Sequence, residues 1–255
     1  MQPRVIVRPR DILSTPRSLA EGLSCRTRRI NHRTNRKYSY THDFLLTYPP
    51  LSLMDEETHA LSNRYNLLRR FAASDKPSQR YALALPCPTT RSRGVLQGPS
   101  QSTICPNGYI VRPLRHSRGI DYRHTQDPED YSPETEYISE VFPKSHEYRV
   151  ITVFGKIACI LRKRPPENAL PHEAWNHHQG SSFQTVEAER CNLIHTSCLT
   201  DILSNPIIQL AHLTGIDILL AKNPWRYVFC EVNFCPALTI PDNLTKVIQH
   251  VQDAN

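Results

Sequence analysis

Apolar residues gather in short, isolated runs in the first hundred residues and in longer, paired runs after them. Val5-Ile6-Val7 predicts a strand, and Thr15-Pro16, a cap followed by a first-turn proline, predicts a helix to about Leu23. Phe44 to Tyr48, stopped by Pro49-Pro50, predicts another strand. Between Asp55 and Ser74, Leu61, Tyr65, Leu68 and Ala72 recur at helical spacing. Strand, helix, strand, helix implies a small α/β unit. Residues 74–108 hold Pro77, Pro86, Pro88, Pro99 and Pro106 among Ser, Thr and Gly, which reads as a loop-rich connector.

From residue 109 the texture changes. Tyr109-Ile110-Val111 predicts a strand running into Arg112-Pro113, and the runs 148–154 and 156–161 flank Phe154-Gly155-Lys156 as a hairpin. Helices are expected over about 186–203 and 206–214. Ile216 to Ala221 and Tyr227 to Phe234 then read as strands joined by residues 222–226. A last helix from Pro241 would bury Leu244, Val247, Ile248 and Val251. Antiparallel hairpins with helices beside them describe an α+β domain. The expected division is a basic α/β domain over 1–105 and an α+β core over 106–255.

Composition narrows the class. With 255 residues, 39% apolar and 22% charged, the chain suits one large or two modest domains and not a disordered tail. No apolar run is long enough to span a membrane. The opening MQPRVIVRPR lacks the apolar segment of a secretory signal, so a cytoplasmic location is expected. The eight cysteines form no CxxC pair and are read as reduced, mostly buried thiols.

The net charge of +7 is uneven: residues 1–105 hold 17 Lys and Arg against 7 Asp and Glu, whereas residues 106–255 hold 14 against 17. A basic half suits an anionic partner or substrate. Its densest run, 26–37, lacks interleaved aromatics and reads as a solvated basic face, so a nucleic-acid partner is not favoured. Nothing in the pattern indicates an oligomeric state.

One hairpin carries chemistry. Asp217 lies seven residues before Pro224 and Glu231 seven after it, so a hairpin centred on that proline sets the two carboxylates opposite each other. Asn233 shares their face by strand period, while Val228, Cys230, Val232 and Phe234 form the apolar face expected in the core. Opposed hard oxygen ligands suit Mg²⁺ completed by phosphates. The alternative is a pair of solvated edge carboxylates, because a slip of one residue swaps the faces.

Read in order, the segments of the second half resemble the ATP-grasp superfamily of carboxylate–amine ligases, which includes ribosomal-protein glutamate ligases, glutathione synthetases and D-alanine–D-alanine ligases. Residues 109–120, YIVRPLRHSRGI, look like the phosphate-binding strand and loop, with Arg112 where the family usually has lysine. Tyr137-Ile-Ser-Glu-Val-Phe looks like the adenine hinge, Glu147-Tyr-Arg-Val like the ribose-binding strand, and Cys230-Glu-Val-Asn-Phe-Cys-Pro like the metal-binding signature. The stretch from Arg162-Lys-Arg to Trp175-Asn-His-His is similar to the segment that brings an arginine and an asparagine to the phosphates.

The resemblance implies two lobes holding ATP, preceded by a small pre-ATP-grasp domain, and Mg²⁺ at Asp217, Glu231 and Asn233. Arg112, His116, Ser117 and Gly119 would meet the phosphates, Glu140, Val141 and Phe142 the adenine, and Glu147 the ribose. Arg162, Arg164 and Asn176 would serve the reaction. Arg91 or Arg93 would stand in for a further phosphate-contacting lysine. The implied activity is ATP-dependent ligation of a carboxylate to an amine through an acyl phosphate, on an amino acid, a peptide or another small molecule of anionic character. A nucleotide-binding module without turnover and a kinase of the same fold are the alternatives.

Overall fold

The computed structural model describes residues 3–7, 27–29, 44–47, 75–93, 95–97, 105–114, 122–170, 173, 175, 180–186, 196–211, 213–233, 236 and 241–253. Strands β1 (Pro3–Val7), β2 (Thr27–Arg29) and β3 (Phe44–Thr47) form a parallel sheet in the order β2-β1-β3. The strands expected at Val5 and Phe44 are present, and parallel pairing is what an α/β unit requires. β2 lies within the basic run that the sequence presents only as a solvated face. The helices expected from Thr15 and from Asp55 lie outside the described residues.

The connector is not merely loop. Pro77 sits in the first turn of α1 (Lys76–Leu83), where its missing N–H loses no helical bond. Asp75 caps this helix by accepting from the Ser78 N–H at 2.9 Å, and left-handed Ala84 closes it. Next come β4 (Thr90–Ser92), β5 (Val95–Gln97), β6 (Tyr109–Pro113), β7 (Arg123–Thr125) and β8 (Glu136–Glu140). They form one antiparallel sheet, ordered β5-β4-β8-β6-β7.

The other antiparallel sheet is ordered β11-β10-β9-β12-β13. It is built from β9 (His146–Val153), β10 (Lys156–Arg164), β11 (Ser182–Val186), β12 (Leu213–Lys222) and β13 (Trp225–Asn233). The hairpin at Phe154-Gly155 forms as expected, with φ of 50° and 70°, the two positive values that a tight two-residue turn demands. A side chain at Gly155 would also run into Gln209.

Two helix expectations need correction. Val186 ends β11, and among the described residues the helix expected over 186–203 is present as α2 (Thr196–Ser204), with 187–195 outside them. The next, α3 (Pro206–Leu210), stops short of residue 214, because Thr214 already belongs to β12. The final helix, α4 (Pro241–Asp253), forms as expected, but of its expected buried residues Val247 is buried, Leu244 and Ile248 are half-buried, and the side chain of Val251 lies outside the description.

One face of the second sheet is apolar. Tyr148, Val150, Ile160, Ile216, Ile218, Leu220, Phe229 and Val232 pack with Cys198, Ile202, Ile207 and Ile208 of the helices. Each such side chain contributes about 1.5–3 kcal/mol on burial. By strand alternation the opposite face presents Glu147, Arg149, Lys163 and Asp217. The segment between β8 and β9 joins the two sheets: the Val141 N–H donates to the Gly108 carbonyl at 3.0 Å and the Ser145 N–H to the Leu220 carbonyl at 2.7 Å.

Candidate active site

The β12–β13 hairpin turns at Asn223-Pro224, pairing Lys222 with Trp225, Leu219 with Val228 and Ile218 with Phe229. Continued regularly, this register would set Asp217 opposite Cys230. Instead β13 bulges at Cys230, and Asp217 stands opposite Glu231 and Gly215 opposite Asn233. The opposition expected of Asp217 and Glu231 is therefore present, but a bulge produces it and not symmetry about Pro224. The bulge also corrects the expected apolar face. Phe229, not Val228, enters the core on the turn side, Val232 does so beyond the bulge as expected, and Phe234 lies outside the described residues.

Each carboxylate meets protein cations. Asp217, 5% exposed, accepts from Arg149 Nε at 2.6 Å, Arg149 Nη2 at 2.8 Å and Lys163 Nζ at 2.9 Å. Lys163, 3% exposed, also grips Glu147, its partner across the β9–β10 hairpin. Glu147 accepts in turn from Lys144 Nζ at 3.0 Å. From the start of α1, Lys76 reaches the Glu231 carboxylate. Phe183 of β11 covers the cluster, its ring centre 5.1 Å from the Arg149 guanidinium and 5.8 Å from Lys163 Nζ.

Burial by itself would raise the Asp217 carboxyl, yet Arg149 and Lys163 hold it well below the usual carboxylate range. Burial would lower Lys163, but Asp217 and Glu147 hold its ammonium above the ordinary lysine range. The Arg149 guanidinium is raised in the same way, against burial, chiefly by Asp217.

Arg112 of β6 belongs to this neighbourhood. Against the effect of burial, Tyr137, Cys230 and Glu231 raise its guanidinium. Its buried Nε has no hydrogen-bond partner among the described residues, and the guanidinium carbon lies 5.9 Å from the centre of the Tyr122 ring. At the hinge, a cavity of about 820 Å³ is bordered by Glu140, Phe142, Val228 and Arg226, the last stacked over Phe142 at 5.3 Å. Val141 is buried beside them.

Not every expected residue converges. Arg162 pairs with core-facing Tyr148, on the face of β10 away from Glu147 and Asp217. Arg164 is exposed and donates to Gln184 Oε1 at 3.0 and 2.6 Å. Lys163 between them is the side chain that reaches the cluster. Arg91 is drawn instead to exposed Glu129 at 2.9 Å, and Arg93 is exposed. His116, Ser117, Gly119 and Asn176 lie outside the described residues. Lys76, Lys144, Arg149 and Lys163 were missed by sequence reasoning. The two-residue turn continued regularly would set Glu147 opposite Arg162; the register shift between Ile157 and Cys159 sets Lys163 there instead, which strand period alone does not give.

The donor chemistry fits Mg²⁺. Asp217, Glu231 and Asn233 offer hard oxygens, and the three N–H bonds to Asp217 leave one of a carboxylate's roughly four acceptor positions. Among the described residues no three His, Cys, Asp or Glu side chains gather as a metal site, so Asn233 is needed as the third donor. Lys76, Lys144, Arg149, Lys163, Arg80 and Arg112 outnumber the three carboxylates, an excess of positive charge suited to a polyphosphate.

No protein-family model matches the sequence, and no curated protein matches it. Solved structures do. The ATP-grasp ligase PsnB, complexed with a phosphomimetic variant of its minimal precursor, Mg and ADP, is 13% identical with a TM-score of 0.59, covering 99% of this chain and 98% of that one. The macrocyclase MdnC from Microcystis aeruginosa MRC, bound with the precursor peptide MdnA, is 13% identical with a TM-score of 0.54 and full coverage of both chains. The D-alanine–D-alanine ligase from Bacillus anthracis is 12% identical with a TM-score of 0.50, covering 99% of this chain and 96% of that one. At these identities the likeness is one of architecture, and it agrees with the two antiparallel sheets joined through residues 141–145: the chain has the ATP-grasp fold.

Proposed function

We propose that this protein is an ATP- and Mg²⁺-dependent ligase that joins a carboxylate to an amine through an acyl phosphate, with an amino acid or peptide as one substrate. The observation that carries the reading is the alignment of Asp217, Glu231 and Asn233 beside an excess of cations, in a fold shared with the ATP-grasp ligase PsnB and a D-alanine–D-alanine ligase. The precursor peptides bound by PsnB and MdnC support a peptide substrate here. The basic half, 1–105, favours an acidic one.

In this reading the hinge cavity beside Glu140, Val141 and Phe142 takes the adenine, and Glu147 accepts from the ribose hydroxyls. Arg112, Lys163 and Lys76 bind and orient the phosphates, Arg112 through the Nε that has no partner among the described residues. Asp217, Glu231 and Asn233 would hold Mg²⁺, which when bound neutralises charge building on the transferred phosphoryl group. The substrate carboxylate attacks the γ-phosphorus and releases ADP. The amine then attacks the acyl carbon and releases phosphate, with water excluded so that the acyl phosphate survives.

A nucleotide-binding module without turnover is favoured by one observation, the occupation of both Asp217 oxygens by Arg149 and Lys163. One experiment separates the readings. Pure protein is incubated with Mg-ATP and pooled amino acids and peptides, and ADP and coupled product are followed by mass spectrometry. ADP with an amide product is expected. A phosphorylated product would make it a kinase, and binding without turnover in any pool would overturn the ligase.

A further inference from the structure

Arg80, on α1 and 6% exposed, has its whole fork engaged. Nε donates to the Cys230 carbonyl at 3.1 Å, and Nη1 donates to Thr90 Oγ1 at 2.8 Å and to Ser139 Oγ at 2.9 Å. Nη2 lies 3.9 Å from Cys230 Sγ, and the guanidinium carbon lies 5.6 Å from the centre of the Tyr137 ring. One side chain thus ties β4 and β8 of the first sheet to β13 of the second.

Cys230 is the residue left over where β12 and β13 change register. Were it to pair regularly, Asp217 would face Cys230, and Glu231 would face Ile216 on the apolar side of the sheet. A buried carbonyl without a partner costs about 1–3 kcal/mol, so a bulge at this position needs a donor. Arg80 supplies it.

We infer that Arg80 is a positioning residue for the divalent metal: by holding the Cys230 carbonyl out of the ladder, braced on Thr90 and Ser139, it keeps Glu231 opposite Asp217. This rests on the ligase reading, because it concerns the side chains assigned there to the ion. Lysine keeps the charge but lacks the planar fork, so it cannot serve Cys230, Thr90 and Ser139 in the same geometry.

Mn²⁺ is the probe, its binding read by loss of the free-ion electron paramagnetic resonance signal. The unaltered protein binds Mn²⁺, and Arg80→Lys weakens that binding about 10–100-fold. Deleting Cys230 in the Arg80→Lys background restores it, because the shortened strand pairs Glu231 with Asp217 without a bulge. A role for Arg80 in packing alone would show no such rescue. Equal Mn²⁺ affinity in Arg80→Lys, or a double variant that stays weak, overturns the role of Arg80 and leaves the ligase reading standing. If Arg80→Lys does not fold, the double variant decides: folded and metal-binding supports the inference, unfolded overturns it. Absence of Mn²⁺ binding in the unaltered protein strikes the metal assignment itself, and this inference with it.

Discussion

Asp217 and Arg149 are cross-strand neighbours on β12 and β9, and the guanidinium takes both carboxylate oxygens, at 2.6 and 2.8 Å. Two-pronged pairing fixes the planes of both groups, and Lys163 adds a third bond from β10. All three side chains are largely buried, so each is stable only while the others remain. Asp217→Asn is expected to destabilise the fold by about 3–5 kcal/mol, measured by urea unfolding. A loss under about 1 kcal/mol would be the behaviour of a solvated pair and would contradict this burial.

The same cluster sets a pH dependence at both ends. The Asp217 carboxyl titrates near 3.8 when unfolded and lower when folded. Its contribution is complete above 3.8 and is lost as pH falls through the folded value. Lys163 mirrors this: its contribution is complete below 10.5 and is lost as pH rises through its raised folded value. Unfolding free energy measured against pH is expected to decline at both extremes, with Asp217→Asn flattening the acid side. An acid decline of equal slope in that variant would assign it to other carboxylates, such as Glu136, which Arg123 holds low.

Lys163 and Arg164 are adjacent in sequence and opposite in role. Lys163→Met removes a buried cation from the cluster and is expected to weaken nucleotide binding by roughly tenfold or more in calorimetric titration. Arg164→Ala, on an exposed side chain bonded to Gln184, is expected to leave that affinity unchanged. The reverse order would return the phosphate role to Arg164.

Lys76 holds the Glu231 carboxylate that the proposed site would give to a metal. Lys76→Met is therefore expected to tighten binding of Mg²⁺ alone while weakening binding of ATP, two titrations moving in opposite directions. Weaker Mg²⁺ binding in the variant would make Lys76 a support of the site and not a competitor.

Glu231→Gln keeps the side chain's shape and removes its charge. Mg²⁺-dependent turnover is expected to vanish while the thermal unfolding midpoint stays close to that of the unaltered protein, since this carboxylate is part-exposed and not fully buried. Retained turnover would remove Glu231 from the metal site.

Much of this was legible in the sequence where local rules decide. Phe154-Gly155 specifies its hairpin, Asn223-Pro224 lies at a turn, and the apolar runs name four of the five strands of the second sheet, all but β11. The bulge at Cys230 was not legible, because its carbonyl is held by Arg80, 150 positions earlier in the chain. Pro77 reads as loop punctuation only until Asp75 before it is recognised as the cap that makes proline a helix opener. Lys163 is not legible for the same kind of reason as the Cys230 bulge: the register shift between Ile157 and Cys159 moves it into the place opposite Glu147 that a regular hairpin gives to Arg162. Only the start of the helix expected from Val186 is displaced: Ser182 to Val186 is held as a strand by pairing with β10, a long-range partner that propensity does not see.

Phe183, lying over Arg149 and Lys163, closes a cluster in which both of these cations already hold a carboxylate partner before any nucleotide arrives. An incoming polyphosphate would therefore meet cations that have shed their water at the folding stage, and recognition becomes an exchange of ionic partners and not a fresh dehydration. Such an exchange makes affinity less sensitive to ionic strength than a count of the positive side chains suggests, because screening acts on the bound and unbound pairs alike.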